Sequence, residues 1–390
     1  MRFVHTSDLH LGRRLGQMPL GDDTAHMLDQ LAAAVLSSGS EAVVVAGDVF
    51  DSPVPPEAAV RQWDGFVSRL ASDKVPCLVI AGNHDSGARL AFGHELMARA
   101  GLHLAGSLSG EVSHVRLGHG DDAATFWLVP FVRPADVRSW AQAEGIEAPS
   151  VATFEEALRV VLDAVRSHPA FAEGANVLVS HQFVTVSGAG PARSDSERLT
   201  LGTVDNVDAS VYEDFDYVAL GHIHRPQRVG SDRMRYAGSP LKLSASEARY
   251  AKSFVVVDVG ARGVSARLEP VVPLRDFREV RGSVDDLVRQ GSDEPEPVRQ
   301  DFVSATVTDD DAIDVASRLR RVWPNLAQVS FDNARTRAEG ARSVETLEQA
   351  AEDLPQLFGE FFSRQAGREL NDAERALALE ALGRAGGDAA

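Results

Sequence analysis

The 390-residue chain is poor in cysteine, in long apolar runs and in basic charge. Its single cysteine, Cys77, excludes an intramolecular disulfide framework and any zinc site built from several thiolates. No apolar run approaches the ~20 residues that a membrane-spanning helix needs, and the first residues do not resemble a signal peptide. We therefore expect a protein of the reducing cytoplasm that has no membrane partner.

The charge balance excludes a second class of proteins. Lys and Arg number 39 against 57 Asp and Glu, which gives a net charge of −18. A protein that coats DNA through a broadly basic surface is excluded, whereas a local basic groove is not. A glycine-rich phosphate loop ending in Lys-Ser or Lys-Thr is also absent, so any ATP dependence has to come from a partner.

Histidine is missing from the last part of the chain. All 12 histidines lie at or before His224, so chemistry that needs imidazole is confined to the first 224 residues. The composition is otherwise that of a globular protein, with 44% hydrophobic and 25% charged residues. At about 150 residues per domain, the length predicts two or three domains.

We predict three parts, at 1–270, 275–335 and 340–390. In the first part, short β-branched runs alternate with helical stretches, which is typical of an α/β fold. The second part is predicted to have a loop at 291–297, because it contains one glycine and two prolines, followed by strand, helix and strand. The third part is predicted to have two helices, the second capped by Asn371 and Glu374.

Five predicted strands of the first part each end in a polar cluster. Ligands of α/β sheets bind in the crevice outside the carboxyl ends of the strands, so clusters that are distant in sequence can meet there. The clusters, in chain order, are Asp8 and His10, Asp48 and Asp51, Asn83 to Asp85, His181, and His222 and His224.

The donor types in these clusters indicate a metal site. Carboxylate, amide and imidazole donors without thiolates suit Mn, Fe or Zn. A structural zinc takes four ligands, whereas the donors here fit two ions if one carboxylate bridges them. Asp48 is the predicted bridge, because a carboxylate has two oxygens to share. The predicted ligands are Asp8, His10, Asp48, Asn83, His181, His222 and His224.

Each of these motifs alone is an ordinary sequence. Asp-x-His is common in turns with a surface histidine, and Gly-Asp-x-x-Asp is common at helix caps. The ordered combination, in which every member closes a predicted strand, is specific to a functional site. Glycines at 47, 82 and 221 are expected to allow sharp turns beside the donors.

Four motifs together resemble the calcineurin-like metallophosphoesterase superfamily: His5–Gly12, Ala46–Asp51, Ala81–Ser86 and Ala219–Arg225. The segments 202–205 and 236–240 resemble its branch of nuclease subunits from double-strand-break repair complexes. The resemblance implies a sandwich of two β-sheets flanked by helices at 1–270. It further implies a small α/β capping domain for DNA recognition at 275–335, and a C-terminal helix-loop-helix at 340–390 that docks to the coiled coil of an ATPase subunit.

The resemblance also implies how the donors are shared between two divalent ions, usually manganese. Asp8, His10, Asp48 and His224 hold one ion, and Asp48, Asn83, His181 and His222 hold the other. His84 is not needed as a ligand, so we expect it to stabilise the transition state or protonate the leaving oxygen, with Asp85 orienting it. One position departs from the archaeal and eukaryotic branch, which has a histidine tied to exonuclease activity where this chain and bacterial relatives have Asp51.

The implied function is a metal-dependent DNA nuclease subunit that acts as an exonuclease on duplex ends and as an endonuclease on single-stranded or hairpin DNA. The family works as a homodimer within a heterotetramer with its ATPase, in DNA repair, recombination and replication on the nucleoid. Basic residues beside the ligand motifs are possible contacts to DNA phosphates: Arg13, Arg14, Arg89 and Arg225.

Two other functions remain open. One is a small-molecule phosphodiesterase or phosphatase of the same superfamily, although the extra 120 residues after the catalytic domain argue against it, because a small substrate needs no docking tail. The other is a scaffold with a degenerate site, although all the predicted ligands and His84 are present.

Overall fold

The computed structural model describes residues 1–147, 150–197, 206–261, 263–334, 336–337, 358–359, 362–363 and 368–386. Over these ranges, no helix has the length and apolar character needed to cross a membrane. The chain forms two compact units, the first comprising Met1–Glu279, Glu294–Ser304 and Trp323–Gln328, and the second the remainder. The division into three domains at the predicted boundaries stays a prediction.

The described strands are β1 (Arg2–Thr6), β2 (Arg14–Leu15), β3 (Met18–Pro19), β4 (Ala42–Ala46), β5 (Cys77–Ile80), β6 (Leu102–Ala105), β7 (His114–Leu117), β8 (Ala124–Val129), β9 (Ala175–His181), β10 (Phe183–Thr185), β11 (Asn206–Asp208), β12 (Tyr217–Gly221), β13 (Gln227–Val229), β14 (Ser231–Tyr236), β15 (Ser253–Gly260), β16 (Gly263–Pro270), β17 (Phe277–Gly282), β18 (Phe302–Val307) and β19 (Leu326–Phe331). The described α-helices are α1 (Gly21–Ser38), α2 (Glu57–Ser72), α3 (Gly87–Leu90), α4 (His94–Ala98), α5 (Pro134–Glu144), α6 (Phe154–Ser167), α7 (Val284–Asp293), α8 (Glu296–Arg299), α9 (Val315–Arg320) and α10 (Asp372–Gly386).

The first unit is a sandwich of two six-stranded sheets. One has the order β16-β15-β1-β4-β5-β6 and the other the order β13-β14-β12-β9-β8-β7. Aromatic rings fill the space between the sheets, where Phe3 packs edge-on against Phe126 at 5.1 Å between centroids and against Tyr217 at 5.9 Å. This is the two-sheet sandwich that the motif resemblance implies.

Helices cover the outer faces of both sheets. Buried side chains of α1 and α2 form one apolar cluster with β1, β4 and β5, and those of α5 and α6 form another with β8, β9 and β12. Helix α6 begins with a capping box, in which Thr153 Oγ1 accepts a hydrogen bond from the backbone N of Glu156 at 3.1 Å. The central strands are therefore buried on both sides, which explains why β4 consists of five apolar residues.

The parallel strands bring the polar clusters to one edge of the sandwich. Strand β4 lies parallel to β1 and to β5, and β9 lies parallel to β8 and to β12. Residues of β4 also contact β9 and β12 of the opposite sheet. The carboxyl ends of β1, β4, β5, β9 and β12 consequently meet, as strand ends in α/β folds do.

The second unit includes parts of β17, β18 and β19, which form a sheet in that order. Strand, helix and strand are present as β18, α9 and β19, but the loop predicted at 291–297 is shorter than expected and comprises only residues 294–295 between α7 and α8. Gly291 is a buried residue inside α7, and Pro295 and Pro297 lie at the N-terminus of α8, where a proline lacks only a donor that would be unsatisfied anyway.

The remaining features of the fold are the cap of the last helix and the environment of the cysteine. Asn371 and Glu374 exchange backbone-to-side-chain hydrogen bonds of 3.0 and 2.9 Å at the start of α10, so the predicted capping box is confirmed. The first helix predicted for the tail and the segment 202–205 lie largely or wholly outside the described residues. Cys77 is buried in β5, and burial raises the pKa of its thiol to about 12, so the thiol is an inert part of the core.

Candidate metal centre

The structure brings all the predicted ligands to the edge where the five strands end. Asp8 and His10 follow β1, Asp48 follows β4, Asn83 follows β5, His181 ends β9, and His222 and His224 follow β12. Donor atoms of Asp8, His10 and His224 lie within 4.8 Å of one another, and so do those of Asp8, Asp48 and His181.

The donors form two neighbouring sets with Asp48 between them. In the first set, His10 Nε2 lies 3.2 Å from His224 Nε2. In the second set, the side-chain oxygen of Asn83 lies 3.0 Å from both His181 Nε2 and His222 Nδ1. Asp48 Oδ2 lies 3.7 Å from His10 Nε2 and 3.4 Å from His181 Nε2. The pairing of His10 with His224, and of Asn83 with His181 and His222, agrees with the sets that the resemblance implies, whereas Asp8 lies within 4.8 Å of members of both sets. Metal binding itself stays a prediction.

The ring nitrogens that point away from the centre have acceptors nearby. His181 Nδ1 donates to the carbonyl of Ala46 at 2.8 Å, and His10 Nδ1 lies 3.3 Å from Asp51 Oδ1. In a neutral imidazole, a proton on Nδ1 leaves the lone pair of Nε2 facing the centre. This is the usual arrangement of metal-binding histidines. Two nitrogens that bind one ion at right angles lie about 3 Å apart. The contact between His10 and His224 has this spacing, so the donors fit divalent cations.

The backbone at the ligands is strained. Non-glycine residues with positive φ include Asp8 at 53°, His10 at 44°, Asp48 at 50° and His222 at 102°. Such conformations cost of order 1–3 kcal/mol each and persist where the surrounding structure imposes them, often at functional sites. Ligands leave their strands at sharp turns, and nothing in the sequence signals that these residues adopt this conformation.

Close packing accounts for two of the glycines. A Cβ on Gly47, where φ is 89°, would lie 2.2 Å from His181 Nδ1. A Cβ on Gly221 would lie 1.9 Å from the carbonyl oxygen of Ala46. Gly221 does not have positive φ, so it is needed for space and not for a turn.

The buried charges at the centre are mutually stabilised. Burial disfavours the charged forms of Asp48 and His181, yet their attraction and hydrogen bond hold the pKa of Asp48 well below its usual range and raise the pKa of His181 to about 9. Burial and the neighbouring His181 lower the pKa of His222 to about 3. In the metal-free protein at neutral pH, His181 is therefore protonated and His222 is neutral.

His84 lies beside the first set, with its ring edge-on to His10 at 4.8 Å between centroids. Its backbone N donates to Asp48 Oδ1 at 2.8 Å, and its Nδ1 lies 3.0 Å from the carbonyl oxygen of Asp51. The expected orientation of His84 by Asp85 is not what the structure has. The Asp85 carboxylate accepts three backbone N–H groups, those of Val49 at 3.1 Å, Phe50 at 2.9 Å and Gly82 at 3.0 Å.

Asp85 instead ties the turn after β4 to the turn after β5. Burial raises its pKa to about 6, with a further contribution from the nearby negative charge of Asp48. A side chain that joins two ligand-bearing turns is a structural support of the site. Sequence reasoning placed Asp85 correctly beside His84 but could not show that its oxygens turn toward the backbone.

Two family models match the chain. A calcineurin-like phosphoesterase domain matches residues 1–226, and a type 5 capsule protein repressor C-terminal domain matches residues 273–366. A protein from Staphylococcus saprophyticus, named as the SbcD component of the nuclease SbcCD, is 31% identical over 293 residues, which cover 74% of each chain. The chain belongs to the SbcD family of calcineurin-like phosphoesterases. The motif resemblance and the fold class are therefore confirmed.

Another member of the SbcD family and a solved structure are also similar. The protein of the same name from Staphylococcus epidermidis is 28% identical over 341 residues, which cover 86% of this chain and 87% of that one. A crystal structure of a dimetal phosphatase from Danio rerio aligns with a TM-score of 0.41 at 14% identity, covering 70% of this chain and 98% of that one.

Asp51, where this chain departs from the archaeal and eukaryotic branch, has a defined environment. Its Oδ1 accepts a hydrogen bond from Arg13 at 3.0 Å and lies near His10 Nδ1. Although burial opposes it, these contacts lower the pKa of Asp51 to about 2. Asp51 is thus a carboxylate that supports the ring of His10 from outside the centre.

The remaining arginines that were singled out are exposed and have partners within the protein. Arg14 donates to the carbonyl of Gln17, Arg89 donates to the carbonyl of Pro53 at 2.7 Å, and the guanidinium of Arg225 lies 4.8 Å from the centroid of Tyr250. Their contact with DNA phosphates stays a prediction.

Sequence reasoning did not predict three buried residues that lie behind His224: Ser196, Glu247 and Lys252. Burial opposes the charge of Glu247, yet Lys252 at 2.5 Å holds the pKa of Glu247 well below its usual range. None of the three belongs to a strand-end cluster, so the sequence carries no signal that would have placed them there.

Proposed function

We propose that this chain is the nuclease subunit of an SbcCD-type complex and hydrolyses phosphodiester bonds of DNA with two divalent cations, for which manganese is the proposed ion. The observation that carries the proposal is the convergence of six donors into two sets on either side of Asp48, the seventh. The two staphylococcal relatives, which are named as nuclease subunits, support the nuclease assignment.

In this proposal Asp8, His10 and His224 hold one cation, Asn83, His181 and His222 hold the other, and Asp48 contributes an oxygen to each. When bound, two such cations lower the pKa of a water and neutralise the charge that develops in an in-line displacement at phosphorus. Asp48 is suited to the bridging position because its Oδ2 is nearly equidistant from His10 and His181.

His84 is proposed as the group that protonates the leaving oxygen or stabilises the transition state. Its Nδ1 lies within hydrogen-bond distance of the Asp51 carbonyl, an acceptor that holds the ring in place when Nδ1 carries a proton. The other ring nitrogen is then the one available to the substrate. Asp85 supports the site through the backbone and takes no part in the chemistry.

The proposed substrates are duplex ends for exonuclease activity and single-stranded or hairpin DNA for endonuclease activity, in repair, recombination and replication. The proposed partner is the ATPase SbcC, which docks on 340–390, while 275–335 caps the site. The acidic net charge of −18 supports a division of labour in which SbcC supplies most of the DNA affinity. The complex is proposed to act on the nucleoid in the cytoplasm.

A homodimer is proposed on the basis of an apolar surface of the first unit. A cavity of about 410 Å³ is lined by residues that include Val54, Val60, Trp63 and Phe92, with Leu96 nearby on α4. Phe92 is 79% exposed and Leu96 is 70% exposed. Exposed apolar patches mark interaction sites, and a second copy would cover these side chains symmetrically. Phe92→Asp should therefore yield a monomer in sedimentation analysis that retains manganese binding, and a dimer of unchanged stability would contradict this interface.

The experiment that tests the function is digestion of linear duplex, hairpin and single-stranded DNA in manganese, with and without SbcC and ATP. A dinucleotide and a nitrophenyl phosphate ester provide the comparison with a small-molecule hydrolase. We expect DNA cleavage that a chelator abolishes and that Asp48→Ala lacks. Turnover of the small esters without DNA cleavage in any of these conditions would contradict the nuclease assignment.

A further inference from the structure

A chain of buried hydrogen bonds connects Lys252 to the ring of His224. Lys252 Nζ lies 2.5 Å from Glu247 Oε2, Ser196 Oγ lies 2.5 Å from Glu247 Oε1, and Ser196 Oγ lies 2.7 Å from His224 Nδ1. All four residues are less than 9% exposed. The contacts therefore form away from solvent, where each proton must be donated to a specific acceptor.

Lys252 determines the charge of Glu247 at the start of this series of hydrogen bonds. Its ammonium group has three donors, and three acceptors surround it: Glu247 Oε2 at 2.5 Å, Ser239 Oγ at 2.8 Å and the carbonyl of His224 at 2.9 Å. The hydroxyl of Ser239 donates its proton to the carbonyl of Leu241 at 2.8 Å. Ser239 Oγ therefore accepts the hydrogen bond from Lys252. An ammonium with three acceptors beside Glu247 makes that carboxylate an ion, which can only accept hydrogen bonds.

The direction of the next two hydrogen bonds follows from counting protons. Ser196 has one hydroxyl proton, and at 2.5 Å from an ionised carboxylate oxygen, which can only accept, the hydroxyl must donate it to Glu247. At the contact with His224, the Ser196 oxygen therefore accepts and the ring donates from Nδ1. A neutral imidazole carries one proton, so Nε2 is left as a lone pair, and this nitrogen faces His10 Nε2 at 3.2 Å.

We propose that Lys252, Glu247 and Ser196 are positioning residues that fix His224 in the tautomer with the proton on Nδ1 and present its Nε2 to a divalent cation. The proposal rests on the proposed function only in taking His224 as a ligand. The tautomer of the metal-free protein is fixed by protein groups alone. Outer partners of metal-bound histidines act in this way, and their loss costs about 10- to 100-fold in metal affinity.

The chain offers a matched control in Ser194. It is as buried as Ser196, at 8% exposed, and its Oγ lies 3.4 Å from Glu247 Oε1. It also lies 2.8 Å from Ser196 Oγ, so it belongs to the same polar cluster. It does not take the hydroxyl position next to Nδ1 of His224. Ser194→Ala therefore removes a buried hydroxyl and leaves the contact with the ring in place.

The first test measures the tautomer of His224 in the metal-free wild-type protein at pH 8 by ¹⁵N NMR of labelled histidine, with His224→Asn used for assignment. We expect the shifts of a neutral ring protonated at Nδ1. A ring protonated at Nε2 would overturn the proposal, whether or not the protein binds metal or cleaves DNA. The tautomer is read from the wild-type protein, and His224→Asn serves only to identify the signal of His224.

The second test measures manganese binding to Ser196→Ala, Ser196→Thr and Ser194→Ala by calorimetry, with thermal melts to check folding. We expect Ser196→Ala to weaken one of two sites by about 10- to 100-fold, Ser196→Thr to restore it and Ser194→Ala to leave it unchanged. Equal weakening of both sites, or no change in Ser196→Ala, would overturn the proposal. Absence of manganese binding in the wild type would instead refute the proposed function, and the tautomer would still decide the role of Ser196.

Discussion

The two donor sets of the metal centre are held in different ways. In the first set, the outer nitrogens of His10 and His224 face side chains: Asp51, itself bound by Arg13, and Ser196, backed by Glu247 and Lys252. In the second set, His181 donates to the backbone carbonyl of Ala46. Ala46 is the last residue of β4, the strand that precedes the turn with Asp48. The first set is therefore adjustable by side-chain substitution, whereas the second is fixed by the fold itself.

The two sets therefore owe their geometry to different parts of the protein. Side chains outside the centre, including two carboxylates, can change the basicity and tautomer of the first set without moving the strands. The second set is coupled to the inter-strand spacing of β4 and β9, and to Phe131, whose ring centroid lies 6.2 Å from that of His181 and 6.4 Å from that of His222. Substitutions that act on one set and not the other can test this contrast.

The largest expected effect comes from removing the residue that the two sets share. Asp48→Ala should abolish binding of both cations and reduce DNA cleavage by at least about 10³-fold, because each ion loses a carboxylate oxygen. Elemental analysis after gel filtration measures the bound manganese. If the variant retains two ions, Asp48 does not lie between the sets as a bridge.

The next effect separates chemistry from metal binding. His84→Gln should leave manganese stoichiometry unchanged and reduce turnover by about 10²- to 10⁴-fold, the usual contribution of a general acid. Single-turnover cleavage of hairpin DNA measures the rate, and calorimetry measures the ions. Loss of a cation from His84→Gln would place His84 among the ligands of the first set.

The third prediction concerns pH and belongs to the second set. A cation requires neutral imidazole, but the pKa of His181 in the metal-free protein is raised to about 9. Below that pH, binding must displace a proton, so affinity for this set should fall about tenfold per unit, or about 100-fold from pH 9 to pH 7. Calorimetry in buffers of different ionisation enthalpy counts the released proton. Affinity that is independent of pH over this range would contradict binding of the cation by a His181 whose pKa is raised.

The smallest effect concerns the outer support of the first set. Asp51→Asn should weaken one cation about tenfold and leave the other unchanged, because the amide keeps the shape but loses the charge beside His10. Asp258→Asn is a control, since Asp258 pairs with Arg2 at 2.8 Å on an exposed surface. Equal weakening of both cations by Asp51→Asn would mean that the two sets are not held independently.

The contrast between the sets also explains which features could be predicted. The strand-end positions of the donors follow from hydrophobic runs that stop at polar residues. The sequence could therefore predict the polar clusters and the strands that carry them: β1, β4, β5, β9 and β12. The support of the second set by the Ala46 carbonyl is backbone geometry that comes with the sheet. Glu247 and Lys252 reach His224 only through the folded chain, and no spacing rule connects them to a ligand motif.

Two wrong expectations have the same physical cause. Gly291 and Pro297 are poor residues in isolated helices, but Gly291 is buried inside α7 and Pro297 lies in the first turn of α8, so the loop between them shrinks to residues 294–295. Asp85 was assigned to its sequence neighbour His84, while its carboxylate turns to three backbone amides of adjacent turns. In both cases tertiary contacts decide what the local sequence leaves open.

The most direct test of the central claim is the anomalous diffraction of a crystal soaked in manganese. The account predicts two peaks about 3.5–4 Å apart, one among Asp8, His10 and His224 and the other among Asn83, His181 and His222, with Asp48 contacting both. A single peak, or peaks away from Asp48, would contradict the two-cation centre on which the proposed nuclease depends.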